Sequence, residues 1–346
     1  MKESIFFSSI RSFFIALFGI VGLVLGIILV LALVGAISGT SEGEPDINYT
    51  YTPQIAPNAS GIRKSLSKDA PVILKLNVNG VIGLGPLTRQ DVSQQLTESR
   101  ERSFKDNRVK AILLYIDSPG GTAVDADGIY RMLKTYKETH KVPVYAFVDG
   151  LCASGGMYIA CAADKIYSSD VSIVGSVGVI MPTIMNFSQI LEKVGVQTMT
   201  LYDGKGKDNL NPLRPWHKGE EDNMKSVIAS FYSDFVDVVV SNRPALDKTK
   251  LINDYGANIF PSLTAKEYGY IDQTGYTLNK TLKELAEAIG IHDDYYQVVE
   301  FENKSWLSQL LGGTNTLFNG QVTHRLELTP DLDPRLMNQC LYLYRP

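Results

Sequence analysis

The sequence predicts an α/β fold, with strands and helices alternating around a largely parallel sheet. Three observations predict it. Val109 to Ile116 and Val142 to Val148 are nearly unbroken apolar runs, as suits strands covered on both faces. Between them, Ala126, Ile129, Tyr130 and Leu133 recur at helical spacing. A further strand–helix–strand unit is readable over Ile173–Met181, Ile184–Val194 and Val196–Leu201, and repetition of such units marks the class.

The N-terminus is a separate element. From Ser12 to Ser38 no residue is charged, and Leu, Val, Ile, Phe, Gly and Ala dominate. As a helix rising 1.5 Å per residue, this stretch would reach roughly 40 Å, more than a hydrocarbon core of about 30 Å requires. A cleaved signal peptide would normally have a shorter apolar core. Lys2 and Arg11 precede the stretch, while Glu42, Glu44 and Asp46 follow it. The expectation is a retained anchor over 12–38 in the inner or plasma membrane, with residues 1–11 cytoplasmic and the remainder extracytoplasmic.

Residues 39–70 are rich in Ser, Gly, Pro, Asn and Thr without apolar periodicity, and read as a linker. The main body is expected over 71–300. It opens on a strand in which Val72, Leu74, Leu76 and Val78 alternate with a more polar face. A long amphipathic helix is expected from about Glu220 to Asn242. Its apolar stripe includes Phe231, Phe235 and Val239, and Pro244 ends it. Residues 301–346, interrupted by Gly and Asn, read as a loosely attached tail.

Composition excludes some function classes. The formal charge is −4 over 346 residues with no Lys/Arg-rich block, which gives nucleic-acid binding little support. Cys152, Cys161 and Cys340 have neither metal-ligand spacing nor a disulfide pattern. No motif for a metal, a nucleotide or another cofactor is present.

Four short segments carry candidate chemistry. Asp117-Ser118-Pro119-Gly120-Gly121 follows a predicted buried strand; its glycines admit close approach to the main chain, and their N–H groups precede a helix. As a plain turn it would need no further role. Cys152-Ala153-Ser154-Gly155-Gly156 puts Ser154 at a strand-to-helix junction, where α/β hydrolases present a nucleophile and where an N-cap serine is equally at home. In Gly175-Ser176-Val177-Gly178 a hydroxyl sits within an apolar run and needs a partner. Tyr202-Asp203-Gly204-Lys205-Gly206-Lys207-Asp208 places two lysines in a glycine-rich loop of the kind usually found solvated. No histidine lies in any of the four, so a His-based triad has no obvious candidate.

Taken together, in this order, the segments resemble the signal peptide peptidase A family of serine proteases in its short bacterial form. The resemblance spans roughly residues 71–300; Pro334-Arg335-Leu336-Met337 and Tyr342-Leu343-Tyr344 also look like that form's tail. It implies a Clp/crotonase-like fold of repeated ββα units behind one N-terminal transmembrane helix. Residue by residue it implies Ser154 as nucleophile, Lys207 as general base and Ser176 as support for the lysine. Gly120, Gly121 and Gly155 fall where oxyanion-hole amides are expected. The position before the base is often aromatic in the family and is Gly206 here, which keeps Lys205 as an alternative base. The resemblance further implies apolar peptide substrates such as signal-peptide remnants. It also implies a ring-like homo-oligomer in which Ser154 and Lys207 meet across a subunit boundary. Broader degradation of misfolded exported proteins is a second reading. An acyl-CoA enzyme of crotonase type and a non-catalytic scaffold are rivals from other classes, but neither needs a Ser–Lys pair.

A lysine of ordinary pKa, near 10.4, is neutral only about once in 2,500 at pH 7. To act as a base it must be covered or placed near another cation.

Overall fold

The computed structural model describes residues 50–304 and 340–344, together with Phe14, Ile15, Leu17, Phe18, Gly19, Gly22, Leu23 and Gly26. The chain divides into two units, residues 1–49 with 305–307, and residues 50–304 with 308–346. In the first unit the eight described residues are helical and exposed. No helix among the described residues is long and apolar enough to cross a membrane. The rest of the expected anchor over 12–38 lies outside the described residues, as do residues 39–49 of the expected linker and 305–339 and 345–346 of the expected tail.

The second unit is built on an eight-stranded sheet. Its backbone is the parallel series β2 (Val72–Asn79), β3 (Val109–Ser118) and β5 (Val144–Ala153). β5 then pairs in parallel with two strands in succession, β6 (Lys165–Ser168) along Tyr145–Val148 and β7 (Ile173–Gly175) along Leu151–Ala153. Antiparallel β8 (Ile259–Pro261) closes that side. On the other side β9 (Gln297–Lys304) pairs with β2 and carries β1 (Thr50–Ala56) as the edge strand.

Side-chain alternation explains why the apolar runs are so continuous. Leu74, Ile112, Leu114, Val144 and Ala146 face the larger core, which includes residues of α1 (Arg89–Glu98), α2 (Ala123–His140), α3 (Gly155–Ala160) and α5 (Asp222–Asn242). Ile73, Ala111, Leu113 and Phe147 face a second core, where α7 (Leu278–Ala288) contributes Leu282, Leu285 and Ala286. Both faces of the central strands are therefore dry, and both must be apolar. Thr122 caps α2 through its hydroxyl, which accepts from the Asp125 amide at 3.2 Å.

Three expectations are corrected. The linker read over 39–70 contains β1, whose Tyr51 and Ala56 are buried; the polar residues around Tyr51 hide its edge-strand pattern. The tail read over 301–346 is not loose at either described end. Its first residues complete β9, and Leu341–Leu343 forms β10, paired antiparallel with β4 (Gly120–Thr122). The third strand–helix–strand unit is not built either. β7 stops at Gly175 (φ +135°), followed by Ser176 (φ +57°), only Ser188–Lys193 (α4) is helical, and Val196–Leu201 pairs with no strand. From 183 to 219 no residue is buried, so apolar periodicity there has no sheet of this chain to dock on. The long helix spans Asp222–Asn242, two residues shorter at its start than expected, with Phe235, Val236 and Val239 buried.

Candidate active site

β5 carries Ser154 at its C-terminal end, where it is buried. Its last residue, Ala153, is in register with Gly175 of β7, and the Ser154 amide donates to the Gly175 carbonyl at 2.9 Å. The Ser154 carbonyl then accepts from the Tyr158 amide at 2.9 Å, so α3 starts without an intervening loop. This abrupt strand-to-helix change forces Ser154 to φ +54° and ψ −116°, a region that non-glycine residues rarely occupy. Its Oγ is buried and has no hydrogen-bond partner. An unpaired buried hydroxyl costs about 1–3 kcal/mol, so strain and lost bonding coincide on one nucleophilic atom.

The Asp117–Gly121 turn is locked beside it. The Asp117 carboxylate accepts from the Leu151 amide at 2.9 Å, which ties the turn to β5. Ser118 Oγ donates to the Gly80 carbonyl at 2.7 Å and accepts from the Gly120 amide at 3.1 Å. The amide of Gly120 is thus already engaged, and its contribution is space: at φ +101°, a Cβ there would lie 1.9 Å from the Tyr342 carbonyl oxygen and 2.8 Å from the Gly155 nitrogen. Gly121 has no room for a Cβ either, since it would meet the Ile82 carbonyl oxygen at 2.0 Å.

β10 lies along this turn as an extended peptide. The Ala123 amide donates to Cys340 O at 3.0 Å, and the Tyr344 amide to Pro119 O at 2.7 Å. Between these bonds, antiparallel alternation makes Gly121 and Tyr342 a hydrogen-bonded pair, with the Gly121 N–H directed at the Tyr342 carbonyl. That oxygen would also lie 3.1 Å from a Cβ on Gly155. On its other edge β10 bridges Ile180, with Leu341 and Ile180 exchanging amide–carbonyl bonds of 2.8 and 3.0 Å. The side chains alternate. Tyr342 stacks on Tyr158 at 5.1 Å between ring centroids, packs on Phe235, and donates its hydroxyl to Phe231 O at 3.0 Å. Leu341 and Leu343 turn the other way, against Val81 and Leu84. Burial, with help from its bond to Asp127, pushes the Tyr158 hydroxyl far above its ordinary pKa, so this wall stays neutral.

Ser176 follows Gly175, one residue along from the Ser154 contact, and its amide donates to Asn258 O at 2.7 Å. Lys205 and Lys207 are exposed in the projecting 183–219 segment, where neither ammonium has an ion-pair partner among the described residues. Within this chain Ser154 Oγ and the Lys207 ammonium do not hydrogen-bond. Cys152 and Cys161 are free and fully buried; burial pushes the Cys161 thiol up to about 12, so both behave as small apolar side chains.

Sequence reasoning missed Tyr158, Ile82 and the whole of β10 as parts of the site. The alternation of Cys340 to Tyr344 was the available signal for the last.

Comparison with known proteins gives the family. The family model of peptidase family S49 matches residues 136–292, and that of Clp protease matches residues 71–171. A Synechocystis sp. protein described as a protease, slr0021, is 33% identical over 280 residues, which cover 79% of this chain and 96% of that protein. The chain belongs to peptidase family S49. A second relative, from Enterococcus faecium and described as a signal peptide peptidase, SppA, is 32% identical over 68% of this chain and 70% of its own length. A Methanocaldococcus jannaschii protein described as a protease is 34% identical over 204 residues, 63% of its length. A ClpP1 variant from Listeria monocytogenes aligns with a TM-score of 0.40 at 17% identity, over 60% of this chain and 94% of that one. The S49 chain is a serine peptidase of mixed α/β fold.

Proposed function

We propose that the chain is a membrane-anchored endopeptidase that hydrolyses apolar peptides with a Ser154–Lys207 dyad, acting on signal-peptide remnants outside the cytoplasm. The observation that carries this reading is the pairing of β10 with β4 beside Ser154. An extended apolar segment lies where a substrate would, with a carbonyl oxygen against Gly121 and Gly155. Strand addition of this kind gives affinity through main-chain bonds and selectivity through alternate side-chain pockets. The pockets filled by Leu341, Tyr342 and Leu343 are apolar and aromatic, which suits signal-peptide cores.

In the proposed cycle neutral Lys207 takes the proton from Ser154 Oγ, which attacks the peptide carbonyl. The Gly121 and Gly155 amides hold the oxyanion. Lys207 passes the proton to the leaving amine, and water then releases the acyl group from Ser154 with Lys207 again as base. Ser176, beside the strand that ends in Ser154, is the proposed support for the lysine. No metal or organic cofactor has a step in this cycle.

Because Ser154 is buried at the core and Lys207 is exposed on a projecting segment, the dyad is assigned to two copies of the chain, each segment reaching its neighbour's serine in a ring. The exposed Met199 and Leu201 of that segment favour such a contact. The uncharged stretch over 12–38 favours the anchor, through its length and its flanking charges. The test is hydrolysis of a fluorogenic apolar peptide by the full-length protein in detergent. Ser154→Ala and Lys207→Ala are each expected to lower kcat about a thousandfold with the melting temperature unchanged. Activity that survives Ser154→Ala would sink the mechanism, and survival of Lys207→Ala would move the base to Lys205.

A further inference from the structure

The segment that carries Lys207 has almost no apolar burial to hold its shape, yet it is not held loosely. One side chain, Arg214, does the work of a core. Its Nε donates to Asp208 Oδ2 at 2.6 Å, its Nη1 to Glu220 Oε1 at 2.7 Å and to Pro215 O at 2.9 Å, and its Nη2 to the Asp208 carbonyl. Each anion is bonded again from the loop. Asp208 Oδ1 accepts from Asn211 Nδ2 at 2.6 Å; the Glu220 carboxylate accepts from the Leu210 amide at 2.7 Å and the His217 amide at 2.9 Å. The Asp208 and Glu220 side chains are 9% and 7% exposed, and Glu220 lies two residues before α5.

We propose that Arg214 is the positioning residue of the dyad: by gripping Asp208 and Glu220 together it ties the Lys207 loop to the start of α5 and occupies the carboxylate next to the base. This rests on the reading of Lys207 as base. The first effect is geometric. Gly204 and Gly206, both at positive φ, leave the loop backbone unusually free, and a planar guanidinium fork restricts it through Asp208. The second effect is electrostatic. A carboxylate beside an ammonium favours its charged form and so disables a lysine base. Asp203 and Asp208 are the loop's two carboxylates. Asp203 accepts from the Gly204 amide, and Asp208 is saturated by Arg214 and Asn211. Glu220 from the packed turn is held by the same arginine; the other charges of the turn and loop are Glu221, paired with Lys225 at 3.1 Å, Asp222 at the start of α5, and Lys205, His217 and Lys218, which carry no negative charge.

The test compares pH–rate profiles of the full-length protein with those of Arg214→Gln, Arg214→Lys and Arg214→Gln/Asp208→Asn, beside Lys207→Ala. Arg214→Gln is expected to lower kcat at pH 7 at least about tenfold with little change in KM, and to move the acidic limb of kcat upward by roughly one pH unit. Arg214→Lys is expected to return the limb but only part of kcat, because an ammonium restores charge and not the fork. The double variant is expected to return the limb alone. A folded Arg214→Gln with wild-type kcat and limb would overturn the proposal, as would an equal loss at every pH that neither second variant alters. Should Arg214→Gln fail to fold, Asp208→Asn decides. A threefold to tenfold kcat loss with an unmoved limb supports the grip, and wild-type kcat overturns it. Full activity in Lys207→Ala would instead show that the dyad reading itself is wrong, and the Arg214 role falls with it.

Discussion

Ser154 combines two costs that a protein normally avoids, a positive φ on a residue with a Cβ and a buried hydroxyl without a partner. Both follow from its place between β5 and α3, where the chain turns within one residue. Around it, glycines supply room that no other residue could. Gly120→Ala would bring a Cβ within 1.9 Å of the carbonyl of the bound strand and 2.8 Å of the Gly155 nitrogen, both backbone atoms with nowhere to go. Peptide hydrolysis by Gly120→Ala is therefore expected to fall about a hundredfold, mostly through KM, with a loss of fold stability of about 1–3 kcal/mol from the φ of +101°. Steady-state kinetics and thermal melting separate the two, and an unchanged KM would show that peptide does not run along β4.

At the scale of elements, β10 pairs with β4, and on the proposed reading it competes there with external peptide. A tethered segment acts at an effective concentration in the millimolar range, so a weak intramolecular strand can hold β4 against dilute peptide. Deleting residues 340–346 is expected to lower the KM for a fluorogenic apolar peptide severalfold, and a synthetic peptide of that sequence is expected to inhibit the truncated protein. An unchanged KM on truncation would mean that β10 does not compete with peptide for β4. The aromatic stack of Tyr342 on Tyr158 and Phe235 predicts which residue of that peptide matters most, since such pairs add about 0.5–1.5 kcal/mol beyond their buried area.

At the scale of the molecule, a partly buried ion pair ties the end of α5 to the 269–272 loop and to β6. Arg243 at the end of α5 donates from Nη1 to Asp272 Oδ2 at 2.9 Å and from Nε to Gly269 O at 3.3 Å. Asp272 also accepts from the Ile166 amide of β6 at 2.8 Å. Burial pushes the Asp272 carboxyl up, but the Ile166 amide and Arg243 together outweigh it and hold the pKa below the ordinary carboxylate range. Its stabilising contribution is complete above the unfolded value of about 3.9 and is lost as pH falls through the lower folded value. Arg243→Ala, which strands a partly buried carboxylate, is expected to cost about 2–3 kcal/mol at pH 7. Between pH 5 and 2, thermal melts of Asp272→Asn should decline less steeply than those of the wild type; parallel declines would remove the carboxylate from the acid transition.

Much of this was legible in the residues. The continuous runs of β3 and β5 announced a sheet buried on both faces, because dry strands cannot alternate with polar side chains. The glycine-flanked segments around Gly120, Ser154 and Ser176 announced a site, because close backbone approach needs residues without a Cβ. What local pattern could not show was pairing. Val196–Leu201 has the composition of a strand and pairs with none, whereas Thr50–Ala56 sits in a polar stretch and is an edge strand. Pairing depends on which surfaces meet in space, and a strand gains its hydrogen bonds only from a neighbour that the rest of the fold puts there. The sequence by itself determined the fold class, the nucleophile candidate and the loop that carries the lysines. Only the tertiary structure decided that Ser154 is strained and unpaired, that Arg214 bridges Asp208 and Glu220 across the lysine loop, and that Leu341–Leu343 pairs with β4 as a strand, since each depends on contacts that local pattern does not show.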